Sequence, residues 1–150
     1  MLSRLFPRQF DAQYRGHWSG LVILGLIIAL RALIGFNSVF HTRMVASGPD
    51  GIPLDSFSPK AAATVLDLFA AQGLSALWPV LIGLAALIRY RAMVPFVFLL
   101  LLVTQLAGQI RAMAQASTPL AASGDVVVLA LMGLTLLGLA LSLAGGHERP

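Results

Sequence analysis

Residues 21–40 read LVILGLIIALRALIGFNSVF, an apolar run interrupted by a single charge at Arg31. A helix needs ~17 to 25 residues to cross the hydrocarbon of a bilayer, so this run is long enough to span it. A cation near the centre of such a helix costs ~2.5 to 3.5 kcal/mol on insertion scales. We therefore expect Arg31 to face protein, water or an opposite charge.

The composition of the whole chain also indicates a protein that is surrounded by lipid. Hydrophobic residues make up 58% of the 150 residues and charged residues only 11%, against roughly 25% charged in soluble domains. The length fits one membrane domain, residues 1–150. The net charge of +4 comes from scattered cations, which disfavours nucleic acid as a partner. The absence of cysteine excludes disulfides, thiolate catalysis, iron–sulfur clusters and cysteine-based zinc sites.

Four apolar segments predict an all-α integral membrane protein, a bundle of four transmembrane helices. Lipid offers no hydrogen-bond partners to an irregular backbone, so each segment is expected to be helical. A short connection, residues 89–92, makes the second and third helices an antiparallel hairpin. A longer outer loop, residues 41–60, contains turn signals at Gly48 to Pro53 and a helix start at Ser58-Pro59. The predicted spans are about 18–40, 61–88, 93–113 and 124–144.

The segment 1–16 has a pattern of its own. Phe6, Phe10, Tyr14 and Trp18 recur every four residues, which on a helix gives one aromatic stripe suited to the membrane interface. The alternative is an aromatic belt on a poorly ordered tail. No small-x-small cleavage site is evident, so the first span is expected to remain attached.

The distribution of cations between the loops predicts the orientation of the protein in the membrane. With four spans, the amino end, the second connection and the carboxyl tail share one side and carry six cations, whereas the other two loops carry three. Positive charge favours the cytoplasm. We therefore expect a multi-pass protein of the inner membrane with both termini cytoplasmic.

This topology predicts a polar cluster in the outer half of the bundle. Asp67 is the natural partner for Arg31, with Arg111 competing for it, and Gln105 and Gln109 share a helix face. Three interpretations stay open: interhelical glue, a pocket for an anionic or carbonyl-bearing ligand, or Arg31 extending to the interface. The predicted cluster comprises Arg31, Asn37, Asp67, Gln72, Gln105, Gln109 and Arg111, with Asp125 on the same side.

Other function classes find less support in the sequence. The inner half holds little polar beyond Thr135 and Ser142, whereas conduits need polar groups through the membrane; an oligomeric pore stays open. The histidines fall at opposite interfaces and in the tail, so no metal site is expected. No nucleophile has a paired base in a recognisable motif. We predict no catalytic residues, metal or cofactor.

The overall plan resembles the DoxX-like small membrane proteins of four spans. The matching features are the first span ending in Arg31-Ala32-Leu33-Ile34-Gly35, the basic turn Arg89-Tyr90-Arg91 and a glycine-rich last span. Some members of that grouping are associated with membrane oxidoreductase complexes, so the resemblance implies an accessory role. The leading hypothesis is thus a non-enzymatic accessory or scaffolding subunit with membrane-protein partners or further copies of itself. The alternative is a binding or permease-like protein with an outward-facing polar pocket for a small anionic or lipidic ligand.

Overall fold

The computed structural model describes residues 12–14, 16–48, 51–114 and 123–144. All regular structure in these ranges is helical, and two short 3-10 turns, Leu54–Ser56 and Arg91–Met93, connect the helices. The α-helices are α1 Trp18–Phe40, α2 Thr42–Ser47, α3 Pro59–Ile88, α4 Val94–Ala114 and α5 Ser123–Ala144.

Four of these helices, α1, α3, α4 and α5, are long and apolar enough to cross a membrane. The predicted fold class is confirmed to that extent, and the chain is a multi-pass membrane protein. Their outward faces carry large apolar side chains, among them Leu33, Leu81 and Leu137. Apolar side chains on the outside suit a bundle whose surrounding solvent is lipid.

The helix boundaries follow local signals in the sequence. Ser58 caps α3 by accepting a hydrogen bond from the Ala61 amide at 3.4 Å, and Pro59 occupies the first turn, as predicted. The outer loop is more ordered than its turn signals suggested, because it contains α2. Thr42 stabilises the end of α1, since its hydroxyl donates to the Ser38 carbonyl at 2.8 Å. α3 also passes through Pro79 without ending.

The predicted interfacial segment lies mostly outside the described residues. Residues 1–11 and 15 are not described, and residues 12–14 and 16–17 are not helical. The helix that contains Trp18 begins at that residue, and the His17 side chain caps it by accepting from the Ser19 amide. Tyr14 and Trp18 therefore do not belong to one continuous helix.

The four long helices pack in the order α1, α3, α4, α5 around the bundle. α1 packs most extensively on α3 and then on α5, and α4 packs on α5 and α3. We call the end with the α3–α4 connection the hairpin end, and the end with residues 41–58 the loop end. At the loop end α1 and α3 approach closely. A β-carbon added at Gly73 would lie only 3.0 Å from the Gly35 carbonyl oxygen.

The apolar core occupies the hairpin half and the middle of the bundle. Phe98 of α4 is fully buried among Leu24 and Ile27 of α1, Val80 of α3 and Leu131 of α5. Toward the loop end the packing loosens. Of the side chains described beyond Gln105 on α4 and before Leu131 on α5, none is buried. Among the described residues, the apolar packing shared by all four long helices therefore lies on the hairpin side and in the middle of the bundle.

Candidate functional site

Arg31 lies on the face of α1 that packs into the bundle. It follows Leu24, Ile27 and Ile28 and precedes Gly35 at intervals of three or four residues, and all four of those residues are buried, so they share one side of the helix. The Nε atom of Arg31 is buried and has no hydrogen-bond partner among the described residues. Arg31 was expected to face protein, water or an opposite charge, and it lies on the protein-facing side of α1 without an ion pair to any described residue.

Gln105 is the second polar group inside the bundle. It follows Phe98 and Leu101 on the buried face of α4 and is only 8% exposed. Its Nε2 atom donates to Thr135 Oγ1 of α5 at 3.2 Å, and the Thr135 hydroxyl donates to the Leu131 carbonyl at 2.6 Å. Its Oε1 atom is buried without a partner in the described structure. The NH2 group of the Gln105 amide therefore has a hydrogen-bond partner, whereas its oxygen has none among the described residues.

Helix register brings Arg31 to the level of this hydrogen bond. A β-carbon at Gly20 would lie 3.6 Å from the Cβ atom of Ser142, which pairs those positions of α1 and α5. Arg31 lies eleven residues beyond Gly20, and Leu131 lies eleven before Ser142, so antiparallel packing puts Arg31 and Leu131 at one level. Thr135 is one turn nearer the hairpin end, and helical side chains tilt toward the start of their helix, which turns the guanidinium in that direction.

We call Arg31, Gln105 and Thr135 the polar layer. In this layer the cationic N–H of Arg31 on α1 and the amide oxygen of Gln105 on α4 have no partner among the described residues. Hydrogen bonds from charged donors are shorter and stronger than those from neutral donors, so an oxyanion or a carbonyl oxygen suits Arg31 as an acceptor. A hydroxyl or protonated group on the same molecule suits the amide oxygen of Gln105. This arrangement suits binding rather than bond-breaking chemistry.

Apolar packing bounds the polar layer on the hairpin side. Phe98 packs directly on Gly138 of α5, where a β-carbon would collide with the ring. Ser142 is buried one turn beyond Gly138. At the hairpin end the Tyr14 ring packs against Gly16 and Gly20, and its hydroxyl is buried without a partner among the described residues. Burial raises the pKa of Tyr14 to about 12, since desolvation disfavours the phenolate.

The predicted pairing of Arg31 with Asp67 is wrong. Within the described part of the chain the only ion pair joins Arg43 and Asp55 at 2.9 Å, and both side chains are exposed. Asp67 is exposed because α3 buries the opposite side, which carries Gly73 and Val80.

The remaining predicted residues do not gather around Arg31. Gln72 and Arg111 are exposed, whereas Asn37 and Gln109 are half-buried. Gln109 does not join Gln105 inside the bundle, because α4 is less covered toward the loop end. The side chain of Asp125 lies outside the described residues.

The role of Thr135 was not predicted from the sequence. A signal was present, because Leu131, Thr135, Gly138 and Ser142 recur at intervals of four, three and four residues, as on one helix face. All four are buried. The two hydroxyls therefore belong to the interior, even though they are sparse.

Comparisons with models of known protein families, with curated protein sequences and with solved structures found no match to this chain.

Proposed function

We propose that this chain is a membrane-embedded binding protein that holds a small anionic or carbonyl-bearing molecule at the polar layer. The observation that carries the proposal is a pair of buried atoms, Arg31 Nε and Gln105 Oε1, that have no hydrogen-bond partner in the described part of the chain. A buried polar group without a partner costs ~1 to 3 kcal/mol, and more when it is charged. A ligand that accepts from Arg31 and donates to Gln105 removes both costs at once.

The packing of the bundle supports access from the loop end. The described side chains on α4 beyond Gln105 and on α5 before Leu131 are not buried, whereas Phe98 and the core around it cover the hairpin side. Leu106 and Val127, near that end of α4 and α5, are exposed and apolar. A ligand with an oxyanion head and an apolar tail fits such surroundings better than a fully polar one.

Two amphiphiles of opposite charge test the proposal. The protein is reconstituted in nanodiscs, and binding of laurate and of dodecylamine is measured by native mass spectrometry. We expect laurate to bind and dodecylamine to bind at least tenfold more weakly, since the tails match and only the head charge differs. Equal binding of the two would contradict an anion site and indicate partition into an apolar surface.

A matched pair of variants assigns any laurate binding to Arg31. Arg31→Ala removes the cation of the polar layer, whereas Arg111→Ala removes an exposed cation elsewhere. We expect laurate occupancy to fall only in Arg31→Ala. Unchanged occupancy in Arg31→Ala would remove this residue from the site.

We further propose that the protein resides in the inner membrane with both termini cytoplasmic and with residues 1–16 at the inner interface. The charge bias of six cations against three supports this orientation. Because the chain has no cysteine, Ser56→Cys provides a single label in the outer loop. A membrane-impermeant maleimide should label this cysteine in intact cells. Labelling only after lysis would indicate the opposite orientation, with the loop in the cytoplasm. Binding of a peptide copy of residues 1–16 to anionic vesicles tests the interfacial segment.

A second candidate is an accessory or scaffolding subunit of a larger membrane complex, as the likeness to DoxX-like proteins implies. The observation that favours it is Gly133 on α5, which is exposed and has open space around the position of a β-carbon. Small residues at such positions let another helix approach closely. Extraction in mild detergent at native expression levels tests it, and a native mass that includes no other protein would count against it.

A further inference from the structure

Gly108 of α4 lies on the inward side of its helix and yet is exposed. It follows Leu101 by seven residues and Val97 by eleven, which places it about 20° around the helix from each. Leu101 and Val97 are both 2% exposed. A β-carbon added at Gly108 would have no described atom of another helix within 4 Å. Among the described residues, the inward side of α4 therefore borders open space at Gly108.

Gly108 lies at nearly the same depth as Arg31. Gln105 donates to Thr135 at 3.2 Å, so Gly108, three positions further along α4, lies opposite residue 132 of the antiparallel α5. Residue 132 is one position from the residue of α5 that lies level with Arg31. One residue is about 1.5 Å along a helix axis. The open space at Gly108 is therefore next to the polar layer.

Arg31 and Gly108 also face one another across the bundle. On α1, Ile28 packs on α3 and Ile23 packs on α5. Arg31 lies between these two directions, about 60° from Ile28 and about 80° from Ile23. On α4, Gly108 likewise lies between the side near α3, which carries Val97, and the side that packs on α5. Each residue therefore faces the helix that is diagonally opposite.

Two apolar side chains border the bundle interior between the polar layer and the loop end. Val128 of α5 lies seven residues before Thr135, and Ile34 of α1 lies seven after Ile27, so each repeats the direction of the earlier residue within about 20°. Thr135 and Ile27 are fully buried, whereas Val128 is 37% and Ile34 42% exposed. Inward faces that are covered near the polar layer are thus open nearer the loop end.

We propose that this space binds the chain of a single-chain amphiphile whose anionic head lies at Arg31. The inference rests on the proposed function and adds the ligand class and the residue that sets it. The head accepts from the guanidinium, and the first methylene groups lie against the backbone of α4 at Gly108. The chain runs past Ile34 and Val128 toward the loop end, where its burial removes apolar surface from water. Gly108 determines specificity, since a side chain there would enter the space that the ligand needs.

Substitutions on α4 test whether the ligand needs this space. Gly108→Leu fills it, and Gly108→Ala adds only a methyl group. Ala107→Leu is the control, because Ala107 is exposed and lies about 100° around the helix from Gly108. Laurate binding is measured by native mass spectrometry in nanodiscs. We expect Gly108→Leu to bind at least tenfold more weakly than wild type, Gly108→Ala to fall between them, and Ala107→Leu to bind as wild type does.

Unfolding by sodium dodecyl sulfate shows whether weaker binding comes from a disturbed fold. Leucine is more favourable than glycine within a helix, and the position meets no other described helix, so Gly108→Leu should be at least as stable as wild type. A less stable Gly108→Leu variant would overturn the inference, because it would show that other side chains already occupy the space. Wild-type laurate affinity in a stable Gly108→Leu variant would also overturn it.

Cysteine labelling tests the space without a ligand. The cysteine-free chain allows Gly108→Cys and Ala107→Cys as single labels in nanodiscs. Each is treated with a negatively charged sulfonatoethyl or a positively charged trimethylammonioethyl methanethiosulfonate, and rates are normalised to those of a free thiol. Because Arg31 attracts anions, we expect Gly108→Cys to prefer the negative reagent by roughly fivefold or more. The preference should vanish with Arg31→Gln and be absent in Ala107→Cys. Equal normalised rates of the two reagents at Gly108→Cys would contradict the inference.

The binding results separate this inference from the proposed function. Wild-type protein that does not prefer laurate to dodecylamine would refute the proposed function and the inference together. Laurate binding that depends on Arg31 but not on Gly108 would retain the proposed function and refute only the inference. Binding that is lost in Arg31→Ala and in Gly108→Leu, and is retained in Ala107→Leu, supports both.

Discussion

Replacing Gln105 by leucine separates a structural role of the polar layer from a binding role. Leucine has a similar volume and no polar atoms, so Gln105→Leu preserves the packing of α4 against α5 while it removes the amide. Thr135 stays satisfied as a donor, because its hydroxyl already donates to the Leu131 carbonyl at 2.6 Å. If the amide is interhelical glue, the variant should be less stable; if it serves a ligand, the empty bundle should not need it.

The expected change in the free energy of unfolding follows from the contributions of the NH2 group and the oxygen of the Gln105 amide. The hydrogen bond from Nε2 to Thr135 is long at 3.2 Å, and hydrogen bonds between membrane helices average about 0.6 kcal/mol. The buried, unpartnered Oε1 atom costs ~1 to 3 kcal/mol. Removing both should therefore raise the free energy of unfolding by about 0.5 to 2 kcal/mol in ligand-free protein.

The assay is unfolding of purified protein by sodium dodecyl sulfate, followed by circular dichroism. Gln109→Leu is the matched control, because Gln109 lies one turn away on α4 and is only half-buried. Destabilisation of Gln105→Leu by more than ~1 kcal/mol relative to Gln109→Leu would refute the reasoning and favour interhelical glue. Binding of 2-hydroxylaurate, whose carboxylate can accept from Arg31 and whose hydroxyl can donate to Gln105, should fall in Gln105→Leu and persist in Gln109→Leu.

Three further predictions follow from the packing. Gly73→Ala should destabilise the bundle by ~1 to 3 kcal/mol, because its β-carbon would lie 2.8 Å from Ser38 Cβ; Gly133→Ala, which meets open space, should be neutral or stabilising in the same unfolding assay. Burial raises the pKa of Tyr14 to about 12 from the ordinary ~10, so stability present below pH 10 should be lost as the pH rises toward 12. A Tyr90→Phe background leaves one tyrosine for absorbance titration, and ordinary titration of Tyr14 near pH 10 would contradict its burial. Ser58→Ala should cost ~0.5 to 1 kcal/mol through loss of the α3 cap, measured as faster hydrogen exchange in the first turn of α3.

The sequence predicted the helices and their limits, because these depend on local chemistry. The span 18–40 was predicted with the bounds that the structure gives. Ser58 and Pro59 marked the start of α3, since a hydroxyl can satisfy an amide that the first turn leaves unpaired. Arg31 was expected to face protein, water or an opposite charge, because its charge is costly in lipid. Each of these inferences depends only on the chemistry of the residue and on whether lipid or water surrounds it.

The polar residues that lie near Arg31 inside the bundle could be identified only from the tertiary structure. In a helix that is apolar all round, periodicity does not distinguish the side that meets lipid from the side that meets other helices. Asp67 was therefore predicted as the partner of Arg31 from its charge alone, with Gln105 as a neighbour in the same cluster. The close approach of α3 at Gly73, on the α1 side, leaves Asp67 on the outside.

The sequence by itself determined that this protein is a membrane bundle with one costly cation, because hydrophobicity and helix ends are local properties. The tertiary structure decided which polar residues share the interior with that cation: Gln105 and Thr135 instead of Asp67. The physical reason is that lipid and the apolar core present nearly the same environment to a side chain. Only the rotation of each helix, fixed by close contacts such as Gly35 on Gly73 and Phe98 on Gly138, determines which side is buried.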